Sequence, residues 1–326
     1  MFMKTRNLCL LLLFFSACSG KQAQGEINPD FSITRFDTQL YKYLVQNQPD
    51  NALQKEKNFL DEYGEKIIGI GKSDSVGFYN RLRTFFFEPT LMDLYKNEQE
   101  KFADIAEINA ELSQAMEKLF EAFPDLKKPK IYLHVSGFNQ NVIVTDEILS
   151  LSADKYLGAD YPLYQQFFYD YQRQQMSPDR IVPDYLLGFL LANFPFAGRE
   201  DVLLDRMLYE GKLRYILSVL LPGRKVWEFV GYNENQYAWC VKNQSQIWKT
   251  LLKNQHLFSP DYIITGQYLN EAPNTAPLTP ESPGRVGEWL GFQIITKYMQ
   301  LHSNVNLQEL IRKTDYQELL KSSKYQ

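Results

Sequence analysis

The residues best placed for chemistry lie in Met207-Leu208-Tyr209-Glu210-Gly211-Lys212 and its flanks. Arg206, Glu210 and Arg214 are spaced i, i+4, i+8, which puts them on one stripe of a helix. A carboxylate between two guanidiniums at this spacing is attracted to both. Two chemistries fit such a Glu. It can be the ionised centre of a structural ion network, or one of the paired carboxylates that a glycoside or peptide hydrolase uses for acid/base work. Asp154 and Asp184, which flank apolar elements, are the other carboxylates of interest, with Arg285 and Lys212 as cations that could share the same cleft. The arginines at both i±4 positions favour the structural network. Gly211 has no Cβ, so another backbone can come close beside Glu210.

Other chemistries are excluded by what their motifs require. Zinc hydrolysis of the H-E-x-x-H type needs two histidines one helical turn apart. His134, His256 and His302 are the three histidines, and none is within helical reach of another. His134 alternates with apolar neighbours and reads as a core or edge histidine. There is no G-x-S-x-G elbow, and Gly69-Ile70-Gly71-Lys72-Ser73 lacks the spacing of a phosphate loop. Cys240 sits in Tyr237-Ala238-Trp239-Cys240-Val241 and reads as a small buried hydrophobe. No catalytic residue, metal or other cofactor is expected. The formal charge of −4, without a basic run, excludes nucleic acid as a partner.

These residues need elements to hold them. Arg199 to Pro222 reads as a long helix, apolar nearly all round and therefore interior. Glu200 and Asp201 are expected in its first turn, and Pro222-Gly223 at its end. Ile33 to about Leu126 follows a helical period. At Lys130 the period changes to two. Ile131–Val135, Asn141–Thr145 and Ile148–Ser152 read as three strands with short connections, hence antiparallel. Helical character then returns to the last residues. The expected fold is α+β, mostly helical, with a small antiparallel sheet at about residues 130–152. One domain over 30–326 is expected, with a helical N-terminal half to about 128 and a sheet plus a helical C-terminal half over 129–326.

The N-terminus carries an address. Lys4 and Arg6 precede an apolar stretch, Leu8 to Phe15, of signal-peptide length and too short to span a bilayer. Phe15-Ser16-Ala17-Cys18 resembles a bacterial lipobox. That resemblance implies removal of residues 1–17, diacylglycerol on the Cys18 thiol and N-acylation of the palmitate kind. Loss of Lys4 and Arg6 with the leader takes the formal charge from −4 to −6. Several acyl chains anchor stably, each buried CH₂ contributing about 0.8 kcal/mol. Residues 18–29 read as a lipidated tether. No acidic run follows Cys18, which favours an outer-membrane lipoprotein facing the periplasm.

Four stretches together resemble the GldB-type gliding-motility lipoproteins of the Bacteroidetes. They are Ile131-Tyr132-Leu133-His134-Val135-Ser136-Gly137-Phe138-Asn139, Leu151-Ser152-Ala153-Asp154-Lys155-Tyr156-Leu157-Gly158, the central Met207 to Lys212, and Ser282-Pro283-Gly284-Arg285-Val286-Gly287-Glu288-Trp289-Leu290-Gly291. The resemblance implies a cell-envelope lipoprotein of gliding or its associated secretion apparatus, held to the membrane by its lipid and bound to an envelope protein partner. A fainter resemblance is to gluzincin peptidases. Glu210-Gly211-Lys212 looks like their third-ligand helix, and Asp184 to Asn193 stands where H-E-x-x-H would be, with neither His nor Glu. It implies a gluzincin-like arrangement that has lost its metal, and the competing expectation is a divergent envelope hydrolase of peptide or glycan working with carboxylates.

Overall fold

The structure is a computed structural model and describes residues 27–46, 51–271 and 273–326. The expected leader, Cys18 and most of the tether lie outside the described residues. Helices dominate, and four strands form one sheet in the order β1-β2-β4-β3: β1 is Ile33–Arg35, β2 Lys130–His134, β3 Val142–Val144 and β4 Ile148–Ser152. This is the α+β, mostly helical architecture expected. Among the described residues no helix is long and apolar enough to cross a membrane.

The sheet is mixed rather than antiparallel. β1 and β4 both pair in parallel with β2, and only β3–β4 is antiparallel. Short connections suggested successive hairpins. Instead the loop after β2 passes over the end of β4 to the far edge, where β3 turns back into β4. Ile33–Arg35, expected as the start of a helix, is the strand on the other edge.

The period of two separates two cores. Ile131, Leu133, Leu149 and Leu151 face the large core built with the C-terminal helices. Tyr132 and Ile148 face a smaller core formed with the N-terminal helices, including Phe36, Phe59 and Tyr63. Both middle strands are therefore buried on both faces, as parallel strands covered by helices are.

His134 belongs to the smaller side. It is fully buried, with Nδ1 2.6 Å from Ser150 Oγ and no partner for Nε2. Burial, with a smaller push from Lys155, lowers its pKa from 6.5 to about 3. The unfolded chain thus binds more protons than the folded one below pH 6.5, and stability falls with pH there. Between pH 6.5 and 5 the loss from this one ring is about 1–2 kcal/mol. Urea unfolding at the two pH values is expected to show that loss in the native protein and its absence in His134→Leu; parallel pH dependence of the two proteins would overturn the assignment.

The central helix spans Leu203–Leu220, and 13 of its 18 residues are buried. It starts later than the charge pattern suggested. Glu200 and Asp201 precede it, and Asp205 is the first-turn acid, taking hydrogen bonds from Arg199 N, Nε and Nη2. It crosses the helix Val286–Leu301 at two glycines. A Cβ on Gly211 would stand 2.3 Å from the carbonyl carbon of Gly291, and one on Gly291 would stand 1.8 Å from Met207 O. The close backbone approach expected beside Glu210 is this crossing.

Candidate functional site

Beside the crossing lies an open cleft of about 720 Å³. Its floor is the helix Ile181–Asn193, which contributes Asp184, Leu187, Gly188 and Leu191. One wall is the edge strand β3, through Val142 and Val144. Gly188 lets that strand settle on the helix, since a Cβ there would meet Val142 Cγ1 at 2.6 Å. The remaining walls bring Lys155 and Tyr156 from the end of β4, Arg214 from the central helix, and Arg285 and Glu271 from the loops before Val286.

The expected Arg206–Glu210–Arg214 stripe is present as a network with unequal links. Glu210 lies 3.8 Å from Arg206 and 3.6 Å from Arg214. The tighter partner of Arg214 is Glu288, one turn before Gly291, whose Oε2 accepts from Nη2 at 2.6 Å and Nε at 3.2 Å. Arg214 and Glu288 each stand three residues from a crossing glycine, so this pair sits one turn from the contact of the two helices. Burial and the Glu288 carboxylate raise the pKa of Glu210. Burial works against the charge on Arg214, but Glu288 and Glu210 more than offset it and raise its pKa.

The other sequence candidates divide. Asp184 and Arg285 line the cleft with Arg214. Asp184 is fully engaged, Oδ1 accepting from Arg180 Nη2 at 2.8 Å and Oδ2 from Tyr156 OH at 2.9 Å. Arg285 lies 3.5 Å from both Glu271 Oε1 and Gly231 O. Asp154, Glu210, Lys212 and Arg206 do not line it.

Asp154 is fully buried at the end of β4. It accepts from Ser136 N at 3.1 Å, from Phe138 N at 2.8 Å and from Ser152 Oγ. Gly137 and Phe138 both have positive φ, 65° and 67°. The carboxylate thus pins the tight loop that carries the chain over β4. Lys212 is buried on the far side of the helix, where Nζ donates to the carbonyls of Ile311 at 3.0 Å and Lys313 at 2.8 Å. Those carbonyls end the helix Leu307–Arg312, where a cation is favoured. Arg206 stacks over Phe196 at 4.6 Å and pairs with Glu200 at 3.2 Å.

Sequence reasoning missed Glu288, Arg180, Lys155 and Tyr156. Glu288 stood within a quoted motif, and only the distant partner Arg214 gives it meaning. Arg180 is one turn before Asp184, so the i,i+4 rule applied there would have found that pair. Cys240 is buried, and burial pushes its thiol up to about 12, as expected of a packing residue.

Among the described residues no group of three or more His, Cys, Asp or Glu could hold a metal ion. The cleft carboxylates each have a cationic partner, which distinguishes them from a free acid/base pair. No curated protein and no solved structure matches the chain, and the comparisons lend no support to a gluzincin ancestry. The family described as gliding motility protein GldB matches residues 18–326. Carrying that match over nearly its whole length, the chain belongs to the GldB family of gliding-motility lipoproteins.

Proposed function

We propose that this gliding-motility-associated lipoprotein is anchored through acylated Cys18 in the outer membrane, facing the periplasm. There it acts without catalysis, by binding an envelope protein through the cleft. The observation that carries the binding reading is the state of the carboxylates. Of the two carboxylates that line the cleft, Asp184 is held by Arg180 and Tyr156, and Glu271 pairs with Arg285. A hydrolase of the two-carboxylate kind needs one acid free to give a proton and one base free to take it. An open, preformed cleft with its carboxylates already paired suits recognition.

The test has two parts. Cys18→Ser is expected to abolish incorporation of labelled palmitate and to release the chain from the membrane fraction. Crosslinking in intact envelopes is expected to join the native protein to one envelope protein, and Leu191→Trp, which fills the cleft from its floor, is expected to remove that adduct. Hydrolysis of a peptide or glycan by the purified protein, lost in Asp184→Asn, would overturn the non-catalytic reading in favour of a carboxylate hydrolase.

A further inference from the structure

The cleft contains two features that its paired carboxylates leave unused. The first is a strand edge. Ser152 N donates to Asn141 O and Thr145 N to Ile148 O, both at 2.8 Å. Ladder hydrogen bonds in an antiparallel pair fall on alternate residues. The odd-numbered residues of β3 therefore bond to β4, and Val142 and Val144 turn their backbone N–H and C=O outward. β3 ends the sheet, and both valines line the cleft. An outward row of this kind pairs with an added strand.

The second is cationic capacity. Lys155, Arg180, Arg214 and Arg285 line the cleft against two lining carboxylates, Asp184 and Glu271. Arg214 is only 5% exposed, yet its Nη1 has no hydrogen-bond partner, and neither has Arg180 Nε. Lys155 is half-buried and has no hydrogen-bond partner among the described residues; its neighbour Asp154 is occupied by the loop over β4. Those two guanidinium nitrogens are closed off from solvent, so the cation that an incoming acceptor can meet directly is Lys155.

We infer that the cleft binds an extended peptide segment as a fifth strand beside β3, with an Asp or Glu side chain of that segment set against Lys155, in the field of Arg180 and Arg214. The geometry couples the two features. Side chains of a strand alternate between faces. Val142 and Val144 point to the Ile181–Asn193 floor, as the contact of Val142 with Gly188 shows. Every second residue of an added strand points the same way, into the cleft that Lys155 lines. Backbone pairing supplies affinity that is indifferent to sequence, and the carboxylate supplies the preference. A free anion would use only the second feature. This inference rests on the cleft being the binding face proposed above.

The test uses the full-length lipoprotein in detergent and an equimolar pool of acetylated, amidated random pentapeptides, so that only side chains supply carboxylates. Peptides retained by the protein are sequenced by mass spectrometry. Asp and Glu are expected to be enriched at least about fivefold at one position, the energy of a single charge-assisted contact. Lys155→Gln is expected to reduce that enrichment while retaining peptides. Val144→Pro removes an outward N–H without touching the β4 ladder, which an edge strand tolerates, and is expected to abolish retention with an unchanged unfolding midpoint. Enrichment that survives Val144→Pro, or that inorganic phosphate alone removes, would reduce the site to an anion pocket and overturn the strand-addition inference. No retention by the native protein would do the same. If the envelope adduct of the native chain persists in that case, the cleft's binding role stands and only the peptide class fails; if the adduct is also missing, both fail.

Discussion

Gly291→Ala is expected to unfold this protein more readily by at least about 3 kcal/mol, the upper end of what overpacking a core costs. Ala is otherwise the better helix former by about 1 kcal/mol, so a purely local view predicts the opposite sign. The loss comes from the crossing. The added methyl would stand 1.8 Å from Met207 O and 2.7 Å from its carbonyl carbon. Both are backbone atoms of a helix buried on nearly all sides, so neither can swing away as a side-chain end would. The helices must part, and the ion pair one turn away must stretch with them. In a domain of this size that loss corresponds to a drop of about 5 °C in the unfolding midpoint. Gly211→Ala is expected to behave alike, because its methyl meets Gly291 and Phe292 backbone atoms at 2.3–2.8 Å. Thermal unfolding of Gly223→Ala, where nothing lies within 4 Å, gives the control. If all three variants shift the midpoint equally, the crossing is not the cause.

That crossing also marks where sequence becomes readable and where it stops. Glu-Gly in the middle of an otherwise apolar helix signals a close neighbour, because only a near backbone makes Gly worth its helix penalty. It does not say which backbone, and the partner glycine is 80 residues away. The same limit hides Glu288: local spacing finds Glu210 as the partner of Arg214, whereas the shorter bond is to a residue 74 positions on. The strands were legible as strands because Ile131, Leu133, Leu149 and Leu151 alternate. Their pairing was not, since a short loop predicts a hairpin, whereas side chains distant in sequence, Asp154 and Ser152 among them, hold the loop that passes over β4 instead. Lys212 next to Glu210 shared a motif with it but not a face. One residue along a helix turns a side chain by about 100°, enough to send Lys212 to the end of another helix. The cleft itself is formed by residues from eight separate stretches, and no local period encodes that convergence.

Removing Arg214 is expected to be as damaging as closing the glycine crossing, and with a pH signature that packing lacks. Arg214 is the common cation of Glu288 at 2.6 Å and Glu210 at 3.6 Å, and all three side chains are at most 13% exposed. Arg214→Met keeps the volume of the stem but leaves two like charges in the same buried place. Breaking a buried pair in this way costs about 3–5 kcal/mol. Glu288→Gln is expected to cost less, because Glu210 remains to answer the guanidinium and removal of one carboxylate relieves the other. Burial and Glu288 already raise the pKa of Glu210. Without Arg214 the Glu210 carboxylate loses a countercharge and rises further, so the folded state binds more protons than the unfolded one above the ordinary carboxylate range. Stability then falls as pH rises through that raised value, and the deficit of Arg214→Met is larger at pH 8 than at pH 5. Adding Glu288→Leu to Arg214→Met removes one of the two stranded charges and is expected to restore part of the loss, a coupling of about 1–3 kcal/mol in a double-mutant cycle. Losses that simply add, or a deficit equal at both pH values, would show that Arg214 matters for its bulk alone. The expected coupling places the charge network one turn from the glycine contact as the element that fixes how the two central helices meet, and thereby where Arg214 stands in the wall of the cleft.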